Sequence, residues 1–295
     1  MTFKPLFARL PFLATLIGAL SLPAAANDGK GEESLGDFLT HHISNSHEFH
    51  PFPFLPAVHL PTGWNVFGVD MSISLHVLMM LIAGALLIIL FALGGRRKNS
   101  APTNKLGHAL EALVIYVRDE VVEPNLGKKD TAAWLPFFLT IFFFFLVLNL
   151  LGLIPGFSAA TGNVNFTGAM AVLIFVTYNA AGMIHNGPIH YMTNLIPKGV
   201  PLFVLPIIAV IEIMGLFTKA VALCIRLFAN MTAGHILLLS LTGLIIVFKT
   251  AWVALGFLPM TLFIYLIEIL VAFLQAYIFT LLSALFVGMA IHQEH

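Results

Sequence analysis

Residues 211–235 read IEIMGLFTKAVALCIRLFANMTAGH, which puts Glu212, Lys219, Arg226 and His235 inside a long apolar run. An ionised side chain at the centre of a membrane helix costs roughly 2.5–3.5 kcal/mol on insertion scales, so such residues are functional candidates by default. At about 100° per residue, Glu212, Lys219 and Arg226 recur every seven positions and drift only slightly from one line along the helix. Gly215, Ala222, Ala229 and Ala233 fall within about 60° of that line, so the Arg-bearing face is small as well as polar. Small residues in membrane helices mark close approach of a neighbouring backbone, and here the approaching surface would meet a guanidinium.

The run that contains this stretch extends from about 201 to 247 and, past Pro206 near its start, has no proline or charged turn at which a membrane helix could reverse. As one helix it would be about 70 Å long, against a hydrocarbon core of about 30 Å. Residues 251–291 give about 60 Å by the same rise. Residues 201–291 are therefore read as a hairpin of two long, strongly inclined helices, broken between Lys249 and Trp252. Four conventional spans are the alternative, with a turn near Arg226 that would interrupt the polar line.

Composition agrees with a membrane location for the whole chain. Of 295 residues 59% are hydrophobic and 9% charged, which places the chain among polytopic membrane proteins. The single cysteine, Cys224, rules out an internal disulfide framework and is read as a packing residue. Net charge is zero with twelve histidines, so overall charge points to neither nucleic acid nor an acidic substrate.

Residues 1–26 carry Lys4 and Arg9, a short apolar core and then Ala24-Ala25-Ala26, the pattern of a cleavable signal peptide, with an uncleaved anchor as the alternative. Residues 27–70 are polar and then rich in His and Pro. No spacing among His41, His42, His47, His50 and His59 fixes a coordination geometry, so this reads as a solvated periplasmic segment and not a metal site. Residues 71–93 form the first span. Residues 94–131 follow as a loop holding Arg96, Arg97, Lys98, Lys105, Arg118, Lys128 and Lys129, half of the 14 Lys and Arg of the chain. The positive-inside rule makes that loop cytoplasmic. Within it Leu106, Leu110, Leu113, Ile115 and Val117 offer a partial apolar face, which predicts an interfacial amphipathic helix.

Residues 132–185 supply the second and third spans around an uncharged external loop, 186–200 a turn-rich cytoplasmic loop, and 292–295 a cytoplasmic tail. The expected fold is an all-α polytopic membrane protein of about five membrane helices, the last two long and tilted, plus one amphipathic helix. Asn149, Asn163, Asn165 and Asn179 flank or enter the second and third spans, where capping or local hydrogen bonding explains them as well as transport would.

Two segments together carry a resemblance. IRLFANMTAGHILL, followed some forty residues later by LIEILVAFLQAYIFTLLSALFVGMA, is similar to the signature of subunit a of F-type ATP synthases. The likeness covers nearly everything after residue 36. It puts the family's essential arginine on Arg226, its asparagine on Asn230, its upstream carboxylate on Glu212 and its late glutamine on Gln275. Familiar bacterial members have Glu nine residues after the arginine and His seven before the glutamine. Here those positions hold His235 and Glu268, exchanged as in mitochondrial members, which keeps one imidazole and one carboxylate for a proton relay. Asn163 stands where the resembling loop often carries Asp.

What the resemblance implies is a stator subunit in a bacterial inner membrane, amino terminus periplasmic and carboxy terminus cytoplasmic. It would not act on ATP itself and would need no cofactor or metal. Its partners would be a rotating ring of c subunits, the peripheral-stalk subunit b and membrane lipid, with no nucleic acid.

The residues support such a role by their own chemistry. An arginine keeps its proton throughout the range in which proteins work, so Arg226 can act only as a fixed charge, whereas His and Glu titrate. His235, nine residues on, lies about 180° around the helix from Arg226, and Glu268 and Gln275, seven apart, share a face of the last helix. Against this stand structural readings: His235 as a hydrogen-bonded packing residue, Lys219 as a snorkelling residue or partner of Glu212, and Gln275 as interhelical glue. At the level of the whole chain, the competing functions are an ion-coupled secondary transporter with an intramembrane Arg/Glu site and an intramembrane metalloenzyme.

Overall fold

The computed structural model describes residues 48–49, 58–59, 65–66, 69–70, 72, 74–95, 97–98, 101–102, 104–154, 157–194, 203–248 and 251–292. The expected signal peptide lies outside them. So does the His- and Pro-rich segment, apart from short antiparallel pairings of Glu48–Phe49 with Val58–His59 and of Asn65–Val66 with Val69–Asp70.

A third such pairing joins Arg97–Lys98 to Ala101–Pro102, a 3-10 turn covers Ala160–Gly162, and helices make up most of the rest. They are α1 (Leu75–Gly94), α2 (Lys105–Tyr116), a π-helical turn (Val117–Val122), α3 (Glu123–Gly152), α4 (Val164–Asn186), α5 (Pro188–Asn194), α6 (Leu205–Phe248) and α7 (Ala251–Ile291). Among the described residues, five helical stretches are long and apolar enough to cross a membrane. The protein is an all-α polytopic membrane protein. At 1.5 Å per residue α6 and α7 are about 66 and 62 Å long, twice the hydrocarbon thickness, so neither can stand upright in a bilayer. α6 runs through Arg226 without a turn, which sets aside four conventional spans. Pro259 lies inside α7 without ending it.

The core forms where α3, α4, α6 and α7 meet. Phe138, Phe142, Phe145, Ile174, Leu227, Ala272, Ala276 and Phe279 are buried there, with the Phe145 and Phe279 rings 4.3 Å apart. α7 meets α3 along Ala272, Ala276, Thr280, Ser283, Ala284 and Val287. The spacing is that of one helix face, and its small side chains let the two backbones approach. Thr280 and Ser283 return their hydroxyls to the Ala276 and Phe279 carbonyls of their own helix, so the face buries no unpaired hydroxyl. α1 lies on the flank of α3, where Met79 and Ala83 pack with Val147, Leu148 and Leu151.

The two loops expected on the cytoplasmic side depart from expectation in three places. The apolar face of the amphipathic helix is Leu110, Leu113, Val114, Val117 and Val121, while Leu106 and Ile115 are exposed. Packing against the bundle takes up that face. Gly127, at φ 76° and ψ 163°, breaks the helix between this segment and the membrane span, in a conformation open essentially only to glycine. The loop expected at 186–200 contains α5, folded back by Gly187 at φ 82° so that Tyr191 packs on Gly182 of α4. The end of α7 docks on the same corner. Asn186 Nδ2 donates to the carbonyls of Ala290 and Ile291 at 3.0 and 3.2 Å, and His292 Nε2 lies 2.9 Å from the Leu126 carbonyl. Terminal helix carbonyls lack intrahelical partners, and these contacts supply them.

Candidate functional site

α6 has two unlike sides because its buried residues recur at helical spacing. Leu223, Leu227, Met231 and Gly234 face the bundle. Ala222, Arg226, Ala229, Asn230 and Ala233 are exposed, and a Cβ built on Gly215 would meet nothing within 4 Å. The small, Arg-bearing face predicted for close approach is thus uncovered by any described part of this chain.

Glu212 and Lys219, further toward the start of α6, are half-buried. The Lys219 ammonium stands 5.5 Å from the centre of the Phe286 ring on α7, a cation–π contact.

On the inner side, Glu268 of α7 is 8% exposed and its carboxylate presses against Gly234 of α6. A Cβ at Gly234 would overlap both carboxylate oxygens. Glycine at this position therefore lets the carboxylate sit against the α6 backbone next to His235. Gln275, two turns further along α7, is 5% exposed and lies on the same buried face. The structure thus brings His235, Glu268 and Gln275 to the inner side of the hairpin and leaves Arg226 and Asn230 on the outer side.

Beyond His235 the polar surroundings continue into side chains that sequence reasoning passed over. His235, Thr232 and Met231 of α6 enclose, with His76 of α1 and Ser158, Ala159 and Gly162 of the α3–α4 connection, a cavity of about 20 Å³. Ser158 Oγ lies 3.2 Å from His76 Nε2, and Thr232 Oγ1 donates to the Gly162 carbonyl at 3.4 Å. His76 had a legible signal, since it is an imidazole in a first span otherwise apolar. Ser158 and Thr232 had none, because hydroxyls are ordinary in such loops and helices.

The asparagines separate into distinct roles. Asn163 caps α4 by accepting from the Asn165 amide at 2.9 Å, and Asn179 accepts from the Tyr191 hydroxyl at 3.1 Å. Asn149 is fully buried and donates across the interface to the Ala272 carbonyl of α7 at 3.2 Å. Its Oδ1 has no hydrogen-bond partner among the described residues. Ala272 lies between Glu268 and Gln275, so this amide adjoins the same buried polar face.

Arg226 is a fixed cation on a face that no described residue covers, and about 13.5 Å further along α6, on its opposite side, lie an imidazole and a buried carboxylate, both titratable groups. The comparisons agree with that chemistry. Residues 77–288 match the family described as ATP synthase A chain. A protein named ATP synthase subunit a from Chloroherpeton thalassium is 48% identical over 261 residues, covering 86% of this chain and 77% of its own length. ATP synthase subunit a 2 of Chlorobium luteolum is 46% identical over 281 residues, covering 94% and 82%. ATP synthase subunit a of Anaeromyxobacter dehalogenans is 42% identical over 286 residues, covering 90% and 73%.

Proposed function

Because the chain belongs to the ATP synthase A chain family, we propose that it carries protons to and from the rotor of a rotary ATP synthase, with Arg226 as the fixed charge that keeps the two directions apart. It is a multi-pass membrane component of the Fo sector, and it acts there with other subunits. Of these, the ring of c subunits is assigned to the exposed α6 face and subunit b to the peripheral stalk, with lipid around the remaining apolar surface. The observation that carries the reading is the exposure of Arg226 on a small-residue helix face that nothing in the described chain covers. A secondary transporter would close its Arg/Glu site within its own bundle, and the family match leaves that alternative without support.

The cycle follows from the two sides of α6. A proton from the periplasm passes His235 and Glu268, with Asn230 and Gln275 beside the path, and neutralises a rotor carboxylate. Neutral, that carboxyl group can turn into lipid. After nearly a full turn it meets a second aqueous path near Glu212 and releases its proton toward the cytoplasm. The guanidinium of Arg226 favours the ionised carboxylate beside it and opposes a protonated hop across it, so protons cannot leak directly between the paths. Each charge crossing yields about 2.3 kcal/mol per 100 mV, so several must cross for each ATP made elsewhere in the complex. Lys219, held over Phe286, is given a supporting role. The basic loop at 94–131 sets the orientation, amino terminus outside and carboxy terminus in the cytoplasm.

Arg226→Ala tests the proposal. The variant complex assembles, and its ATP-driven acidification of inverted vesicles, followed by a pH-sensitive dye, is abolished. Normal acidification would refute the assignment.

A further inference from the structure

His76 is buried at 6% exposure near the start of α1, while the cycle above uses residues of α6 and α7 alone. It shares the small cavity with His235, and polar groups of Ser158 and Thr232 line the same space. A volume of about 20 Å³ exceeds the roughly 10–15 Å³ that one water needs, and two imidazoles, two hydroxyls and a loop backbone offer the two to four polar partners it requires. The Glu268 carboxylate presses against Gly234, the residue before His235. The cavity is thus lined by two imidazoles, and a carboxylate meets α6 one residue before the second of them.

We propose that His76 is the outermost proton-carrying group of the inlet, passing protons to His235 through one water held in this cavity by Ser158 and Thr232. The transfer is a relay. The His76 imidazolium gives its N–H proton to the water as a proton of that water moves to the unprotonated ring nitrogen of His235, so one proton advances and the water is regenerated. His235 then delivers to the Glu268 carboxylate and returns to the neutral imidazole. Ser158, 3.2 Å from His76 Nε2, fixes the ring so that it addresses the cavity. The inference rests on the proton-carrying function proposed above and adds α1 and the α3–α4 connection to the path.

The test compares His76→Ala, His76→Gln, Thr232→Val and Arg226→Ala in whole complexes. Assembly is checked by recovery of the intact complex, and proton flux is driven through inverted vesicles by ATP. His76→Gln retains a hydrogen-bonding group for Ser158 but cannot carry a proton. Both His76 variants are expected to lose flux about tenfold, short of the roughly 10²–10⁴ of a positioned acid–base group because water substitutes in part. Imidazole supplied to the inlet side, the vesicle lumen, restores His76→Ala and not His76→Gln. Normal flux in His76→Gln overturns the inference, as does a loss in His76→Ala that imidazole does not relieve. Should neither His76 variant assemble, Thr232→Val decides: it removes one hydroxyl from the cavity at nearly constant volume, and undiminished flux in it overturns the proposal. Arg226→Ala separates the two claims, since normal flux there refutes the function itself, whereas its failure alongside an intact His76→Gln refutes only the role of His76.

Discussion

At the scale of single residues, the decisive pair is Gly234 and Glu268. A carboxylate at 8% exposure in a membrane bundle is costly unless its surroundings serve a purpose, and here the missing Cβ of Gly234 makes room for it beside His235. Gly234→Ala forces the carboxylate to move, at a cost of about 1–3 kcal/mol for overpacking. The complex is expected to assemble with proton flux lowered about tenfold, a loss within the range of positioned acid–base groups once water substitutes. Flux equal to that of the parent protein would show that the contact is mere packing. Glu268→Gln keeps the shape and removes the titratable proton, and should lower flux by about 10² with assembly unchanged. Vesicle acidification measures both. The residues of this site were mostly legible in the sequence because ionisable groups are conspicuous in apolar runs. Gly234 was not, since one glycine among small residues announces nothing until its neighbour is known.

At the scale of elements, the helix ends show what holds the hairpin to the rest. Gly127 separates the amphipathic segment from the membrane span, with φ 76° and ψ 163°. Gly127→Ala places a side chain in that region at a cost of about 1–3 kcal/mol, expected as a lower melting midpoint of the detergent-solubilised complex. An unchanged midpoint would mean that the corner relaxes freely. Asn186 ties α4 to the last carbonyls of α7 by two hydrogen bonds, each worth about 0.5–1.5 kcal/mol net. The apolar pattern of 110–121 was readable from sequence, but not which of its faces the bundle would take up. Leu106 and Ile115 fit a helical stripe on paper and lie exposed at its margins.

At the scale of the whole molecule, one long helix carries a buried and an uncovered side, and the bundle stands wholly behind it. Residues 222, 226, 229, 230 and 233 form a small-residue strip with one cation, suited to a cylinder rolling past. With Cys224 first replaced by Ser, Ala229→Cys should form a disulfide with a cysteine placed beside the membrane carboxylate of a c subunit in the intact complex. Leu227→Cys, two residues away, about 200° around the helix and buried, should not. Equal cross-linking at both positions, or none at Ala229→Cys, would remove the ring from this face. Cys224 has to be replaced because it is partly exposed on the same helix, with its sulfur 3.5 Å from Thr167 Oγ1.

The sequence by itself determined the membrane class, the five spans, the unbroken hairpin and the line of Glu212, Lys219 and Arg226. All of these are consequences of apolar run length and of a 100° periodicity that operate along the chain. Only the tertiary structure decided that the small, cationic face is the one left uncovered, that Glu268 lies against Gly234, and that His76 shares a cavity with His235. Those facts depend on which helices meet and how closely, which is set by side-chain shape between residues far apart in sequence.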